Sequence, residues 1–452
     1  MAARQHPARG QVFFPGNYGR EGLYIWIVAL SLKLFGVTPL AMRLPSVVIG
    51  ILTCPVAWWL AREWTGRAVD SEIDRLGDRE PSYQSTNVPI YHSLIPLLAA
   101  LYIATSYWHV NFSRFSQRTV LTPLAIGLAA AAFWRALNLG RTRWFVAAGA
   151  FMGLALHTYS VGRFLPVFMA CFLVLQWLVT PKPRPGEPER RILARHWRDI
   201  LLMFLVAAVI FAPLGVYFLM HPGTFMMRAR AVATYAGGGP LESLKVIGRA
   251  ALANLAQYVV PGAGDRAQFH NLPGRPIFEP LTALLAIVGV LVCLRRWRQP
   301  ASLFLLAWLV VLTAPAALAT DRFPTLPRVL GMIPGVYLFP AVGLSAVVRM
   351  IAQVGRMERG SEGNEGNEGT EGTAATMRKA PLPRCALSPR HPVTVSPCHP
   401  VTLSPCHPVT LSLVMTVALL VHAGVTYRDY FRVWGPAPAT FDAFEGDITS
   451  AW

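Results

Sequence analysis

Long runs of apolar residues, almost free of charge and each close to 20 residues long, recur along the whole chain. They lie at about 43–62, 91–108, 119–137, 143–159, 163–180, 199–220, 280–295, 301–319, 326–348 and 411–427. About 20 residues of helix cross the hydrocarbon of a bilayer, so each run reads as a membrane span. An eleventh run, Leu23 to Phe35, is too short and carries Lys33. It reads as a helix in the interface or a short tilted span. The expected fold class is therefore an all-α polytopic membrane protein of about ten transmembrane helices plus a short interfacial helix.

Composition excludes the main competitor. Of the 452 residues 54% are hydrophobic and only 14% are charged, whereas soluble globular domains are about a quarter charged. The net charge of +18 would suggest a nucleic-acid partner on a soluble protein. Here the basic residues sit in short clusters between apolar runs, so the expected partner is a lipid bilayer and not nucleic acid.

Those clusters orient the chain. Loops rich in Lys and Arg (Arg62, Arg67, Arg75 and Arg79; Arg135, Arg141 and Arg143; 181–198; Arg295, Arg296 and Arg298; 349–390) alternate with poor ones holding Arg114 and Arg118, Arg163, and Arg322 and Arg328. The rich loops belong in the cytoplasm, which places the poor ones and the long loop 221–279 outside. That loop, with His270 to Pro276 in it, is short of helical patterning and reads as a cover over substrate. The same rule puts the first 42 residues outside, although no signal-like apolar core precedes them, so an upstream span is expected. No Asp or Glu falls in mid-span, which counts against an ion-coupled transporter.

The expected organisation is a membrane core over 1–350, a linker over 351–410, and a final span with a short outer tail over 411–452. Residues 63–90 look like a polar insertion. The linker holds an EGN/EGT triplet repeat at 362–373 and a VTxSPCHP repeat from 393, too polar and too proline-rich to pack a core, and is expected to be disordered and cytoplasmic. Cys398, His399, Cys406 and His407 lie in that tract without the scaffold a zinc site needs, so no metal site is assigned. The six cysteines are too scattered for a disulfide framework.

With uncharged spans, chemistry must sit in the outer loops. These hold Asn17, Tyr18, Arg20 and Glu21; Trp108, His109, Asn111, Arg114 and Arg118; Tyr159 and Arg163; Asp265, His270, Asn271, Arg275 and Glu279; and Asp321, Arg322 and Arg328. A single arginine at a span end is commonly a headgroup anchor. Several on the side where topology disfavours them point to an anion, because guanidinium offers a planar fork of donors to phosphate.

The stretches from Asn17 to Thr53, Ser106 to Leu124, Leu154 to Pro166 and His270 to Thr282, with the segment around Arg328, resemble in order and spacing the family 39-type, protein-mannosyltransferase-like glycosyltransferases. That family has the C-type glycosyltransferase fold and includes bacterial aminoarabinose transferases. The resemblance implies transfer of a sugar from a polyprenyl-phosphate donor to a glycan, lipid or protein acceptor on the outer face of the cell membrane. It implies donor-phosphate binding by Arg20, Arg163 and Arg328, and sugar or acceptor contacts by His109, Tyr159, His270 and Asn271. Relatives supply the base from an acidic pair upstream of the GREGL block, and often place an aspartate where this chain has Thr122. Both acids are missing here, so Glu21, Asp265 and Asp321 become the substitutes for a catalytic base. An inactive or truncated member, or a lipid-sugar flippase, is the alternative. No cofactor is assigned. A divalent ion stays open because some C-type relatives use one.

Overall fold

The computed structural model describes residues 11–16, 19–76, 88–185, 189–227, 239–362 and 408–443. Asn17, Tyr18, part of the 63–90 insertion, the linker repeats with their cysteines, and the end of the tail lie outside the described residues. Two units are distinguished: Met1–Ala346 together with Val417–Trp452, and Val347–Thr416, whose described part is helical.

A two-stranded hairpin, β1 (Phe13–Phe14) and β2 (Arg20–Glu21), precedes α1 (Gly22–Phe35) and α2 (Pro39–Leu76). Then come α3 (Val88–Ala104), α4 (Tyr107–Arg114), α5 (Leu121–Leu139), α6 (Thr142–Ala155), α7 (Phe164–Val179) and α8 (Trp197–Met220). They are followed by α9 (Pro240–Ala256), α10 (Pro280–Arg295), α11 (Pro300–Val311), α12 (Leu338–Glu362) and α13 (Pro408–Tyr427). Proline starts α9, α10 and α11, where its missing N–H costs nothing and its fixed φ suits the first helical position. Gly140, at φ 60, ends α5 in the left-handed conformation.

Among the described residues, five helices are long and apolar enough to cross a membrane, and a bent pair makes a sixth. Shorter apolar helices include α1 and α10. The faces of these helices agree with lipid surroundings. Along α8, Leu201, Leu205 and Val209 are exposed, whereas Met203, Ala207 and Leu214 are buried; apolar residues lie on both faces, unlike a helix of a soluble protein. The chain is an α-helical, multi-pass membrane protein.

Two expectations need correction. The loop 221–279 contains α9, a helix of 17 residues with Ala250 and Asn254 on its buried side. Its buried stripe is only one residue wide, too narrow for a periodic signal among flanking glycines and prolines. The expected span 326–348 is not one helix: 3₁₀ turns at Leu326–Met332 and Gly335–Tyr337 precede α12, with a bend of 70°. Pro334, without an N–H to continue the ladder, sits at the break.

Small residues set the closest helix contacts, as expected where helices pack in lipid. Gly149 and Gly153, four apart on α6, face backbone atoms of α8 at Met203 and Ala207. Gly289 on α10 meets the carbonyl of Phe339, and Gly343 on α12 meets that of Leu285. On α5, α7 and α11, Trp134, Phe168, Phe172, Phe304 and Trp308 form an edge-to-face aromatic core.

Candidate functional site

Neighbouring residues of a strand point to opposite faces, and in β2 this separates two charges. Arg20 is exposed while Glu21 is 3% exposed. The Glu21 carboxylate accepts from Arg118 Nη1 at 3.2 Å on one oxygen and from Arg163 Nη2 at 2.9 Å on the other. Arg118 also donates to the carbonyl of Gly19, the hairpin residue at φ +85. Arg163 donates to the carbonyl of Phe225 and lies over the rings of Phe218 and Phe225. A buried carboxylate thus ties the hairpin to two arginines from distant parts of the chain.

A second wall is the loop before α10. Asp265 is buried and accepts from the amides of Ala267 (2.9 Å) and Leu326 (3.0 Å) and from His270 Nδ1 (3.3 Å). Asn271 staples the loop through the carbonyls of Asp265 and Arg275. Below it, Asn111 of α4 donates to the carbonyl of His270, and the hydroxyl of Tyr107 accepts from the amide of Leu272. Arg275 reaches Asp429, beyond α13, at 2.7 Å. Burial opposes the charge on Asp265, but the bonds from His270 and the two amides outweigh it and hold the carboxyl below its ordinary range. For His270 burial wins over its bond to Asp265 and, with Arg322 and Arg328 nearby, lowers its pKa. The pair is therefore a charged carboxylate beside a neutral imidazole.

The third wall is the bend before α12. Arg328 binds Asp321 through both Nη atoms, at 2.6 and 2.9 Å, and the carbonyls of Ala319 and Arg322. Burial of Asp321 is outweighed by Arg328, which keeps its carboxyl below the usual range.

These walls enclose a cavity of about 670 Å³. Its rim carries Arg20, Arg118, Arg322 and Arg328. Tyr24, Thr119, Tyr159 and His270 add polar atoms, and Ile25, Val28 and Met42 make one apolar flank. Among the described residues, the guanidinium groups of Arg20 and Arg322 have no ion-pair partner. A second cavity of about 490 Å³ is lined by Asp265, Arg266 and Arg322.

Of the residues singled out in the sequence, Arg20, Tyr159, His270 and Arg328 line the larger cavity together. Arg163 and Glu21 stand behind Arg118, Asp321 behind Arg328, and Asp265 behind His270. Asn271 belongs to the wall. His109 is buried with Nε2 on the carbonyl of Gly50 at 3.0 Å, tying α4 to α2. Arg118, Arg322 and Tyr24 line the cavity without having been assigned a role; the first two already stood out as arginines on the basic-poor side. Among the described residues, no group of three His, Cys, Asp or Glu could hold a metal ion.

No family model matches the chain, and no curated protein does. Solved structures do. ArnT from Cupriavidus metallidurans, bound to undecaprenyl phosphate, superposes with a TM-score of 0.54 at 13% identity, over 95% of this chain and 68% of that one. This chain has the C-type glycosyltransferase fold. The apo oligosaccharyltransferase of Archaeoglobus fulgidus matches with a TM-score of 0.50 at 13% identity, over 92% of this chain and 49% of that one. In its apo state ArnT matches at 16% identity and a TM-score of 0.47, over 74% of this chain and 52% of that one. The chain thus spans about half to two thirds of the length of these C-type proteins.

Proposed function

We propose that this chain is a membrane glycosyltransferase that moves a sugar from a polyprenyl-phosphate donor to an acceptor hydroxyl of a glycan, lipid or protein, at the outer face of the cell membrane. One observation carries the reading: in a C-type fold, a single cavity joins an arginine rim to an apolar helix flank. A lipid phosphate has that same division, an anionic head on an apolar chain. ArnT, the neighbour with the matching fold, was solved with undecaprenyl phosphate bound.

The residues act at the leaving group. As the bond from the anomeric carbon to the phosphate oxygen breaks, negative charge grows on the phosphate, and prealigned guanidinium donors stabilise the growing charge. Among the described residues, Arg20 and Arg322 have no ion-pair partner and are the groups that meet it. Arg118 and Arg328 are oriented by Glu21 and Asp321, and Arg163 supports the first of these from behind. Tyr159 and the Phe269–His270 edge face the sugar and the acceptor.

Transfer from a polyprenyl-phosphate hexose, in membranes holding the full chain, tests this. A hydrogen bond between charged groups contributes about 1.5–3 kcal/mol. Arg20→Ala and Arg322→Ala should each lower kcat/KM roughly 10- to 100-fold. Neither substitution orphans a buried partner, so both variants should stay folded. Activity equal to wild type in both would remove the phosphate site. Absence of transfer and of polyprenyl-phosphate binding in the wild type would remove the whole reading.

A further inference from the structure

We propose that His270, its Nδ1 proton held by Asp265, is the general base that removes the acceptor's hydroxyl proton through Nε2. This rests on the reading of the cavity as a glycosyl-transfer site.

The carboxylates near the cavity are already engaged. Both oxygens of Glu21 accept from guanidinium groups. Both oxygens of Asp321 accept from Arg328. On Asp265, Oδ1 takes the amide of Ala267 and Oδ2 takes the amide of Leu326 and the ring of His270. To accept a substrate proton, each would first have to give up bonds that hold a wall together.

His270 is placed differently. It lines the arginine cavity, while Asp265 lines the second cavity on its other side. Because Asp265 is a charged acceptor, Nδ1 must be the protonated nitrogen, which leaves the lone pair on Nε2. Nε2 lies on the ring edge away from Asp265, and among the described residues it has no hydrogen-bond partner. The ring is held in place by Phe112, stacked at 5.8 Å, and by the Asn111 bond to its own carbonyl. A base in a fixed tautomer, oriented by a buried carboxylate, is the arrangement that general-base chemistry needs.

In the reaction, the acceptor O–H bond breaks and its proton goes to Nε2. The acceptor oxygen bonds to the anomeric carbon while the bond from that carbon to the phosphate oxygen breaks, its electron pair going to the phosphate. The imidazolium formed lies beside Asp265, which stabilises it, and then returns its proton to water. Asp265 acts as a positioning residue. The charged groups facing His270 are Asp265 at Nδ1, Arg322 and Arg328 across the cavity, and Arg20 and Arg118 on its rim; α4 presents Asn111 and Phe112, neither of which titrates.

The test uses the full chain in membranes with a polyprenyl-phosphate hexose as donor. The wild-type kcat/KM should fall about tenfold per pH unit below an apparent pKa at or under the ordinary histidine value of about 6.5. His270→Ala should lose about 10²- to 10⁴-fold in kcat, keep polyprenyl-phosphate binding, and recover part of the rate with added imidazole. Asp265→Asn should shift the acid limb of the profile as well as lower the rate. A wild-type profile with an acid limb whose apparent pKa lies above about 6.5, or His270→Ala within threefold of a wild type that transfers sugar, would overturn the assignment while leaving the glycosyltransferase reading intact. A wild type that neither transfers sugar nor binds the lipid phosphate would overturn both. Should His270→Ala fail to fold, the wild-type profile alone decides.

Discussion

Glu21→Ala is expected to cost the fold about 3–5 kcal/mol, the loss typical of removing one partner from a buried ion pair. The carboxylate is 3% exposed, and its two partners, Arg118 and Arg163, are only 12% and 16% exposed. With the carboxylate gone, both guanidinium groups stay mostly buried and close to each other. Arg163 keeps a bond to the carbonyl of Phe225, but a carbonyl dipole does not balance a full charge. The alternative is that two like charges drive each other apart, and the hairpin with them. Thermal unfolding in detergent measures the loss. Glu21→Gln, which keeps an acceptor oxygen but no charge, should fall between wild type and Glu21→Ala. In a double-mutant cycle with Arg163→Ala, the second substitution should cost less in the Glu21→Ala background than alone, since it removes an orphaned charge. A loss under about 1 kcal/mol, the range of solvated surface pairs, would mean that water reaches the carboxylate. Activity should fall further than stability, because Arg118 sits on the cavity rim through the same bond.

The helical membrane class of this fold is legible from apolar length, because lipid allows few other structures, but among the described residues five or six helices, not about ten, are long and apolar enough to cross. Where the reading failed, a local feature overrode the pattern. Pro334 and the turns beside it break the run 326–348, and α9 hides its narrow buried face between stretches of glycine and proline. The site was legible only as a class. Arginines on the basic-poor side announced an anion, but not which of them share a cavity. Arg118 is 97 positions from Glu21, and Arg163 is 142. Only the folded chain shows that one carboxylate selects these two and leaves Arg20, its neighbour in β2, exposed. The pairing of Asp265 with His270 is five residues apart and in principle local. Nothing in the spacing says, however, that Leu326 reaches back to the same carboxylate.

Glycine at 289 offers the second large effect, with a sign that intrinsic preference gets wrong. Alanine is the better helix former by about 0.8–1.0 kcal/mol, so at an open helical position Gly→Ala should stabilise. Gly248, on α9, is such a position, since a Cβ added there meets nothing within 4 Å; Gly248→Ala should raise the unfolding midpoint. At Gly289 the same methyl would overlap the carbonyl of Phe339, and at Gly343 that of Leu285. Both obstacles are backbone, so no side chain can swing aside, and α10 must separate from α12. Overpacking of this kind costs about 1–3 kcal/mol, occasionally more, and Gly289→Leu should exceed Gly289→Ala. The separation also has a functional direction. The chain runs from Asp265 and His270 into α10, and from Arg328 through the bend into α12. Moving the two helices apart therefore stretches the Leu326-to-Asp265 bond that joins the loop to the bend. Gly289→Ala should lower both the unfolding midpoint and the transfer rate, whereas Gly248→Ala should raise the first and leave the second unchanged. If both alanines stabilised the chain, helix preference would outweigh backbone contact, and α10 and α12 would not be packed as closely as Gly289 and Gly343 place them.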